Sequence, residues 1–501
     1  MASRATFPKV CVALGLPNAD ALLAQARHEI EQGERFLEFR LDYLKERSAG
    51  PAIIRDVLKQ HPDAVILATC RRKENRGHFD GLIEEQINVL TSAINAGARA
   101  VDLEIESAEV SLPALSVLRT STFVVSYHNW ENTPALDGVV KRLSKIEAAI
   151  YKLVTTAKKP SDWLRVLNCI KPAARAKWVL LSMGESGLPS RILAPAVGCC
   201  YTYAAPACVE GTAAGQLAAR TLRHLYRVEK ISRSARIYGV VADPVKHSIS
   251  PAVHNRGFQA KRLDAVYVPF LVAPGQFRDF MKVCDELPVH GLSVTIPHKQ
   301  RIMRYLDTID PLARRIGAVN TAWKKAGKWR GTNTDIYGVT GPLARKLKLA
   351  KSTVLVAGNG GAARSAVFSL MDAGASVTIT GRSMEKVKTL ARLTGAEAVA
   401  SDQLGSRYFD AFVNATPLGM HPKVDGCFFD GEIPADLVFD MVYNPAQTLL
   451  LKRAEEQGCD VIPGLDMFME QAARQFEIFT GEQAPLAVMQ RAAVEALGLS
   501  S

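Results

Sequence analysis

Eight short apolar, β-branched runs recur about every 20–36 residues across the first 205 positions, and this spacing restricts the fold more than any other feature of the chain. They are VCVAL (10–14), FLEFRLDY (36–43), AVILATC (64–70), AVDLEIE (100–106), TFVVSYH (122–128), AIYKLVTT (149–156), KWVLLSM (177–183) and AVGCCYTY (196–203). Helical patterns such as ALLAQARHEIEQG and EEQINVLTSAINAGA lie between them. Gly33 and Gly97 stand where a helix commonly closes. Eight strand–helix units in about 220 residues predict a closed parallel (β/α)8 barrel, because an open doubly wound sheet usually has fewer strands.

Near Arg227–Arg236 the pattern gives way to the polar stretch RVEKISRSAR, which limits the barrel to residues 1–228. A second series follows: IYGVVAD (237–243), AVYVPFLV (265–272), GLSVTIP (291–297) and a hairpin-like AVNTAWKKAGKWRGTNTD (318–335). Then TVLVAGNGGAARSAVFSLMDAG, SVTITGRS, FDAFVNAT and LVFDMVY read as a Rossmann dinucleotide fold over 339–464. The α/β region 236–338 is completed by 465–501, where LDMFMEQAARQFEIFTG reads as an amphipathic helix.

With 501 residues the chain exceeds what one core usually organises. Its net charge of +12 is spread without a basic block, which reads as a solvated surface suited to small anionic substrates, not as a nucleic-acid face. No apolar run is long enough to span a bilayer, so no membrane partner is expected. The start, MASRATFPKVCVAL, lacks the layout of a secretory leader. The nine cysteines include no CxxC and no Cys/His zinc spacing, and adjacent Cys199 and Cys200 cannot easily bridge. Free thiols in a reducing cytoplasm and no metal are the expectation.

Barrel chemistry sits where the strands end. The second strand carries Glu38, Arg40 and Asp42, the third ends at Arg71, the fourth has Asp102 and Glu104, and the fifth ends at His128. The sixth holds Lys152 between Tyr151 and Leu153. A lysine inside an apolar strand loses hydration, which favours the nucleophilic amine and imine formation with a ketone. Taken alone it also reads as a lysine snorkelling out between helices or paired to Glu104. His128, on the adjacent strand, supplies the complement: an imine acidifies the neighbouring C–H, and an imidazole can remove that proton and assist loss of hydroxide.

The blocks EFRLD, DLE, SYHNWENTP, IYKLVTTAKKPSD, PSRILAP and TAAGQ resemble type I 3-dehydroquinate dehydratase across residues 1–225. The resemblance implies Lys152 as the imine lysine and His128 as general acid/base, with Glu38, Arg40, Arg71, Arg191, Thr212 and Gln216 around the substrate. A guanidinium such as that of Arg191 suits bidentate capture of a carboxylate, although arginines at such positions also form surface ion pairs. Glu104, one strand before His128, is expected to orient the imidazole. The sequence departs from the family after the third strand, where an acid and two glycines are usual. In RRKENRGHFDG, either Glu74 is shifted by one or Asn75 takes the acid's place, and Arg76 replaces a glycine, so the loop is expected to close differently.

In the second half, Gly358 permits the tight turn of GNGGAA, Gly360 lets a diphosphate approach, and Ala363 takes the third small position. The helix N-terminus beyond favours an anion. The next strand ends SVTITGRSMEK without the acid that bonds ribose hydroxyls in NAD sites. Arg382, Ser383 and Lys386 suit a 2′-phosphate, so NADP is expected over NAD; the alternative is ordinary solvated charge. Lys299 closes VTIPHK and Asp335 closes GTNTD, and a lysine beside an aspartate can relay a proton to a carbonyl oxygen. By itself Asp335 reads as a helix N-cap.

HSISPAVHN, GLSVTIPHK, IGAVNT, GTNTDIYG, NATPLGM, DMVYNP and the Met467–Gln471–Phe476 pattern resemble shikimate dehydrogenase over residues 236–501. The resemblance implies Lys299 and Asp335 as the catalytic pair. It implies Ser248, Ser250, Thr295, Asn320, Tyr443 and Gln471 around the substrate. Gly358, Gly360, Gly361 and Ala362 would hold the cofactor's phosphates, with Thr416, Gly464 and Met467 bordering the nicotinamide. Ser293 stands where many single-domain members have asparagine, a point at which the fused plant-type enzymes match better. Together the halves imply dehydration of 3-dehydroquinate to 3-dehydroshikimate and its NADPH-dependent reduction to shikimate. Three alternatives are a metabolite-sensing pseudoenzyme, a reductase fused to a weakened dehydratase, and a preference for quinate. Presence of Lys152, His128, Lys299 and Asp335 weighs against the first, Arg76 motivates the second, and Ser248 and Ser250 weigh against the third.

Overall fold

The structure, a computed structural model, describes residues 7–170, 176–405 and 407–499. Residues 1–6, part of the start read for a leader, lie outside that range. The chain divides into two compact units: residues 1–236 with 264–288, and residues 237–263 with 289–501.

In the first unit eight strands form one parallel sheet. They are β1 (Val10–Leu14), β2 (Phe36–Arg40), β3 (Val65–Thr69), β4 (Ala100–Glu104), β5 (Thr122–His128), β6 (Ile150–Thr156), β7 (Lys177–Met183) and β8 (Thr202–Ala204). Their order is β7-β6-β5-β4-β3-β2-β1-β8, and Cys200 N donates to Trp178 O where the ring comes round to β7. Side chains alternate along each strand, so Glu38 and Arg40, Asp102 and Glu104, and Ser126 and His128 each share a face. The register sets Glu104 opposite Ser126 and Ser126 opposite Lys152. The helices close on Gly33 (φ 96°) and Gly97 (φ 108°), left-handed positions that glycine adopts without strain.

Two strand boundaries differ from the expectation. β2 stops at Arg40 and the chain tightens into a 3-10 turn, Leu41–Tyr43. The eighth apolar run begins inside the helix Leu188–Val197, which ends on left-handed Gly198 (φ 107°), and only Thr202–Ala204 is strand. That helix is buried along most of its length, and a short apolar run cannot be told from a buried helix by periodicity. Residues 264–288 group with this unit. Asp279 accepts from Ser161 N at 2.8 Å, Gln276 Nε2 donates to Lys158 O at 2.8 Å, and Phe270 stacks on Trp163.

The second half adds β9 (Arg236–Ala242), β10 (Ala265–Leu271), β11 (Val289–Val294), β12 (Thr308–Ile309), β13 (Thr321–Lys325) and β14 (Lys328–Thr332). In the second unit β9 runs parallel to β11, followed by β13, β14 and β12. β13 and β14 form the expected hairpin, turning through Ala326 (φ 52°) and Gly327 (φ 76°). A separate parallel sheet contains β15 (Thr353–Ala357), β16 (Ser376–Thr380), β17 (Glu397–Ala398), β18 (Phe409–Asn414), β19 (Ala435–Asp440) and β20 (Asp460–Ile462). Its order, β17-β16-β15-β18-β19-β20, is that of a Rossmann fold, with the strand order reversing between β15 and β18. Apolar clusters cover both faces of this sheet, which explains its nearly continuous hydrophobic strands. The predicted amphipathic helix spans Gly464–Thr480. Its Met467 lies so close to Gly338 that a Cβ there would stand 2.8 Å from the Met467 Cγ. Among the described residues no helix is long and apolar enough to cross a membrane.

Two candidate active sites

The barrel mouth holds a connected ionic cluster. Lys152, only 5% exposed, donates to Asp102 Oδ2 at 2.9 Å and to Tyr203 Oη at 2.9 Å, with Glu38 Oε1 at 3.8 Å. The surroundings are therefore not the apolar ones suggested by the strand's sequence. Arg71 donates to the other oxygen of Asp102 at 2.9 Å and to Ser126 Oγ at 2.9 Å. Burial alone would raise the Asp102 pKa; Arg71, Lys152, His128 and the Ser126 hydroxyl overcome it and hold the carboxyl well below the usual carboxylate range. Glu38 is fixed by the Thr69 hydroxyl at 2.7 Å. Arg40 is held bidentately by Asp42, at 2.9 and 2.8 Å, and lies over the Tyr43 ring. Its position beside the cluster is that of an oriented, already paired cation.

His128 ends β5, and burial and then the charges of Arg71 and Lys152 push its pKa well below the ordinary histidine value. The ring is neutral as a result, the form a general base requires. It stacks on Trp130 at 5.6 Å and 15°. The expected clamp from Glu104 is not made. Glu104 accepts from Arg72 N at 3.0 Å and lies 3.7 Å from Arg71, while His128 Nδ1 has no protein hydrogen-bond partner. Burial raises the Glu104 pKa against the pull of Arg71. In the departing loop, Glu74 pairs with Arg72 and Asn75 donates to Glu106 at 3.0 Å, so neither meets the imidazole.

Arg191 is 2% exposed, donates to Ala214 O at 3.3 Å and pairs with no carboxylate among the described residues. Its Nε is buried without a partner, and burial lowers its pKa to about 10. A buried guanidinium lacking a counter-ion suits a bound carboxylate. Gln216 binds Thr212 Oγ1 and Ala213 N within the loop after β8, so those two residues occupy one turn.

The second site forms around Lys299 and Asp335, 2.5 Å apart. Asp335 is the first residue of the helix Asp335–Lys346 and Thr334 is the N-cap. The Asp335 side chain is turned to Lys299 and to Asn320 Nδ2, at 2.7 Å, so it does not cap the helix. Asn320 also binds Thr334, placing it within the same network. Ser248 Oγ accepts from Ser250 N at 3.3 Å at the start of the helix Ser250–Ala260. Thr295 lies just past β11, four residues before Lys299. Tyr443 is packed 5.0 Å from Phe468, and burial pushes its hydroxyl up to about 12, so it remains a hydrogen-bond donor. Gln471 donates to Phe468 O in its own helix. Ser293 donates to buried Gln475 at 2.7 Å, and Gln475 binds Thr321 and Asn320 O.

Residues 10–233 match the type I 3-dehydroquinase family, residues 240–322 the shikimate dehydrogenase substrate binding domain, and residues 464–494 the shikimate 5'-dehydrogenase C-terminal domain. The chain is 33% identical over 506 residues to the chloroplastic bifunctional 3-dehydroquinate dehydratase/shikimate dehydrogenase of Arabidopsis thaliana, covering 95% of this chain and 82% of that protein. The chain belongs to the bifunctional 3-dehydroquinate dehydratase/shikimate dehydrogenase family. Its second half is 41% identical over 268 residues to shikimate dehydrogenase (NADP(+)) of Oleidesulfovibrio alaskensis, covering 52% of this chain and 95% of that one. The crystal structure of shikimate dehydrogenase from Aquifex aeolicus superimposes with a TM-score of 0.50 at 33% identity, over 52% of this chain and 98% of that chain.

The residues of this bifunctional chain fit a dinucleotide. Gly358 has φ +125°, and a Cβ there would lie 2.9 Å from Ala415 O, whereas Gly360 faces open space. The helix Gly361–Asp372 has no side-chain cap, which leaves its first N–H groups, including those near Gly361 and Ala362, for a phosphate. Arg382 and Lys386 are exposed and make no ion pair among the described residues, and the Ser383 hydroxyl does not cap the helix that follows it. Thr416 is fixed by Asn414, which Asp440 holds in turn at 2.9 Å. Gly464 approaches Val442 O so closely that a Cβ would stand 2.4 Å away, and Met467 is buried one turn further.

Two members of the barrel cluster, both on strand runs in the sequence, have no role assigned by pattern or resemblance. Asp102 joins Lys152 to Arg71, and alternation within AVDLE puts it on the same face as Glu104. Tyr203 reaches Lys152 from β8, which begins at Thr202, later than its apolar run.

Proposed function

We propose that the barrel site dehydrates 3-dehydroquinate through an imine on Lys152, and that the second site reduces the resulting 3-dehydroshikimate to shikimate with NADPH. The observation that carries this reading is Lys152 itself: a buried lysine within β6, with Nζ fixed by Asp102 of β4 and Tyr203 of β8. The Lys152 amine adds to the substrate ketone with loss of water. The imine acidifies the adjacent C–H, and neutral His128 takes that proton. The hydroxyl beta to the imine carbon then leaves as water with a proton returned by His128, and hydrolysis releases the enone and Lys152. Arg191 holds the carboxylate, Glu38, Arg40 and Arg71 frame the ring, and Thr212 and Gln216 close over it.

When bound, NADPH supplies hydride to the carbonyl carbon of the second substrate. Lys299 gives the proton to the carbonyl oxygen, and Asp335 holds the lysine in place. Ser248, Ser250, Thr295, Asn320, Tyr443 and Gln471 take the hydroxyls and carboxylate of the substrate, whose polyol face needs a buried partner for each group. Arg382, Ser383 and Lys386 bind the 2′-phosphate that distinguishes NADP from NAD. All nine cysteines are free, which supports a reducing compartment such as the cytoplasm. Imaging of a tagged chain tests that location.

The whole scheme is tested by supplying dehydroquinate and NADPH and following the near-ultraviolet absorbance of the cofactor. The wild-type chain is expected to oxidise it. Lys152→Met should oxidise it with dehydroshikimate but not with dehydroquinate. Turnover of dehydroquinate by Lys152→Met would remove the imine from the mechanism.

A further inference from the structure

In the loop after β3, Arg76 sits in the left-handed region at φ 56°, a conformation uncommon for a bulky residue. The backbone around it is stapled to the strand end: Gly77 N donates to Arg72 O, Phe79 N to Arg71 O and Lys73 N to Phe79 O. Gly77 passes so close that a Cβ would meet Arg71 O at 2.0 Å. The position of Arg76 is therefore set by the loop. Its guanidinium lies 5.7 Å over the Trp130 ring, within cation–π range. Trp130 stacks on His128, and its Nε1 is buried with no protein partner, so the indole is engaged through its ring. The three side chains form one continuous contact from the loop to the imidazole.

We infer that Arg76 is a positioning residue of the dehydratase, which acts through Trp130 to fix the plane of His128 and to disfavour its protonation. The inference rests on the role given to His128 above. Among the described residues nothing acidic hydrogen-bonds the imidazole, so stacking supplies the restraint that a carboxylate clamp would otherwise give. The charges facing His128 are Arg71 from β3, Lys152 from β6 and Arg40 from β2, which oppose its protonation, and Asp102 from β4, which favours it. Glu104, also on β4, is drawn to Arg71. Arg76 adds a positive charge from the loop, and its loss would raise the His128 pKa.

The test compares wild type, Arg76→Gly and Arg76→Lys. Glycine accepts the left-handed backbone without strain, so Arg76→Gly isolates the side chain from the loop's geometry. Reductase turnover with dehydroshikimate, in the same chain, normalises for intact protein, and borohydride labelling of Lys152 reports that the barrel of each variant is folded. For Arg76→Gly the dehydratase kcat is expected to fall about tenfold, with KM for dehydroquinate nearly unchanged. The acid limb of its pH–rate profile should move to higher pH, and Arg76→Lys should restore both. An unchanged profile and kcat in Arg76→Gly, or identical behaviour of the glycine and lysine variants, overturns the inference. Borohydride with dehydroquinate separates this from failure of the underlying reading: a wild-type chain not labelled at Lys152 removes both, whereas a labelled wild type with an unaffected Arg76→Gly removes Arg76 alone.

Discussion

Asp102 Oδ2 lies 2.9 Å from Lys152 Nζ while its other oxygen, at the same distance, engages Arg71, so one buried carboxylate orders both the lysine proposed to form the imine and a neighbouring guanidinium. Asp102→Asn keeps the shape and removes the charge. It leaves two buried cations without their shared counter-ion, an unfavourable arrangement. The dehydratase kcat is expected to fall about 100-fold, and borohydride labelling of Lys152 should slow in parallel. Reductase turnover should stay within twofold of wild type. Near-normal labelling would mean that Asp102 has no part in placing the amine.

Arg191 gives a prediction with two signatures. As a buried cation with no acid partner among the described residues it destabilises the free protein, and as the proposed receptor of a carboxylate it stabilises the complex. Arg191→Met should therefore raise the melting temperature of the barrel and raise KM for dehydroquinate roughly 10- to 100-fold, the equivalent of about 1.5–3 kcal/mol. Calorimetry and steady-state kinetics measure the two effects. An unaltered KM would assign the carboxylate to another group.

In the second half, Lys299→Met should depress reductase kcat at least about 100-fold while NADPH affinity, measured by fluorescence titration, changes little. Asp335 then loses its partner but keeps Asn320, so the fold should persist. Arg382→Ala should raise KM for NADPH and leave that for NADH unchanged. Equal effects on the two cofactors would show that Arg382 does not read the 2′-phosphate.

What the sequence made legible was set by the physics of each element. Strand spacing gave the barrel, because eight buried parallel strands must each be apolar, and the Rossmann sheet followed from strand–glycine–helix order. That Lys299 and Asp335 would lie together was legible because their motifs, VTIPHK and GTNTD, match the shikimate dehydrogenase pattern, and the two side chains meet at 2.5 Å. Short-range pattern failed where the environment decides. Apolar Ala196 and Val197 belong to a buried helix, not to β8, and the polar company of Lys152 comes from strands far away in sequence. The strand position of Glu104 suggests that it orients His128, but Arg71 and Arg72 N engage it instead. Asp335 by itself reads as a helix cap and only the family resemblance pairs it with Lys299; in the structure Thr334 holds the cap position and the carboxylate turns to Lys299.

His254 carries the last prediction. It is fully buried among Phe258, Phe476 and Phe479, and burial lowers its pKa from 6.5 to about 3 in spite of a hydrogen bond with Gln475. The folded state therefore binds fewer protons than the unfolded one between these values. Stability contributed by the neutral ring is complete above about pH 6.5 and is lost as pH falls toward 3, by up to about 1.4 kcal/mol per pH unit. His128 acts in the same direction in the barrel, so the comparison must isolate His254. His254→Gln, which cannot titrate, should lower stability at pH 7 by removing packed ring contacts but flatten the acid dependence of the second unit. Denaturant unfolding at pH 7, 6 and 5 measures this: the gap between wild type and variant should narrow as the pH drops. Parallel losses in both proteins would show that acid sensitivity arises elsewhere, because a residue that takes up no proton on unfolding cannot contribute to the slope.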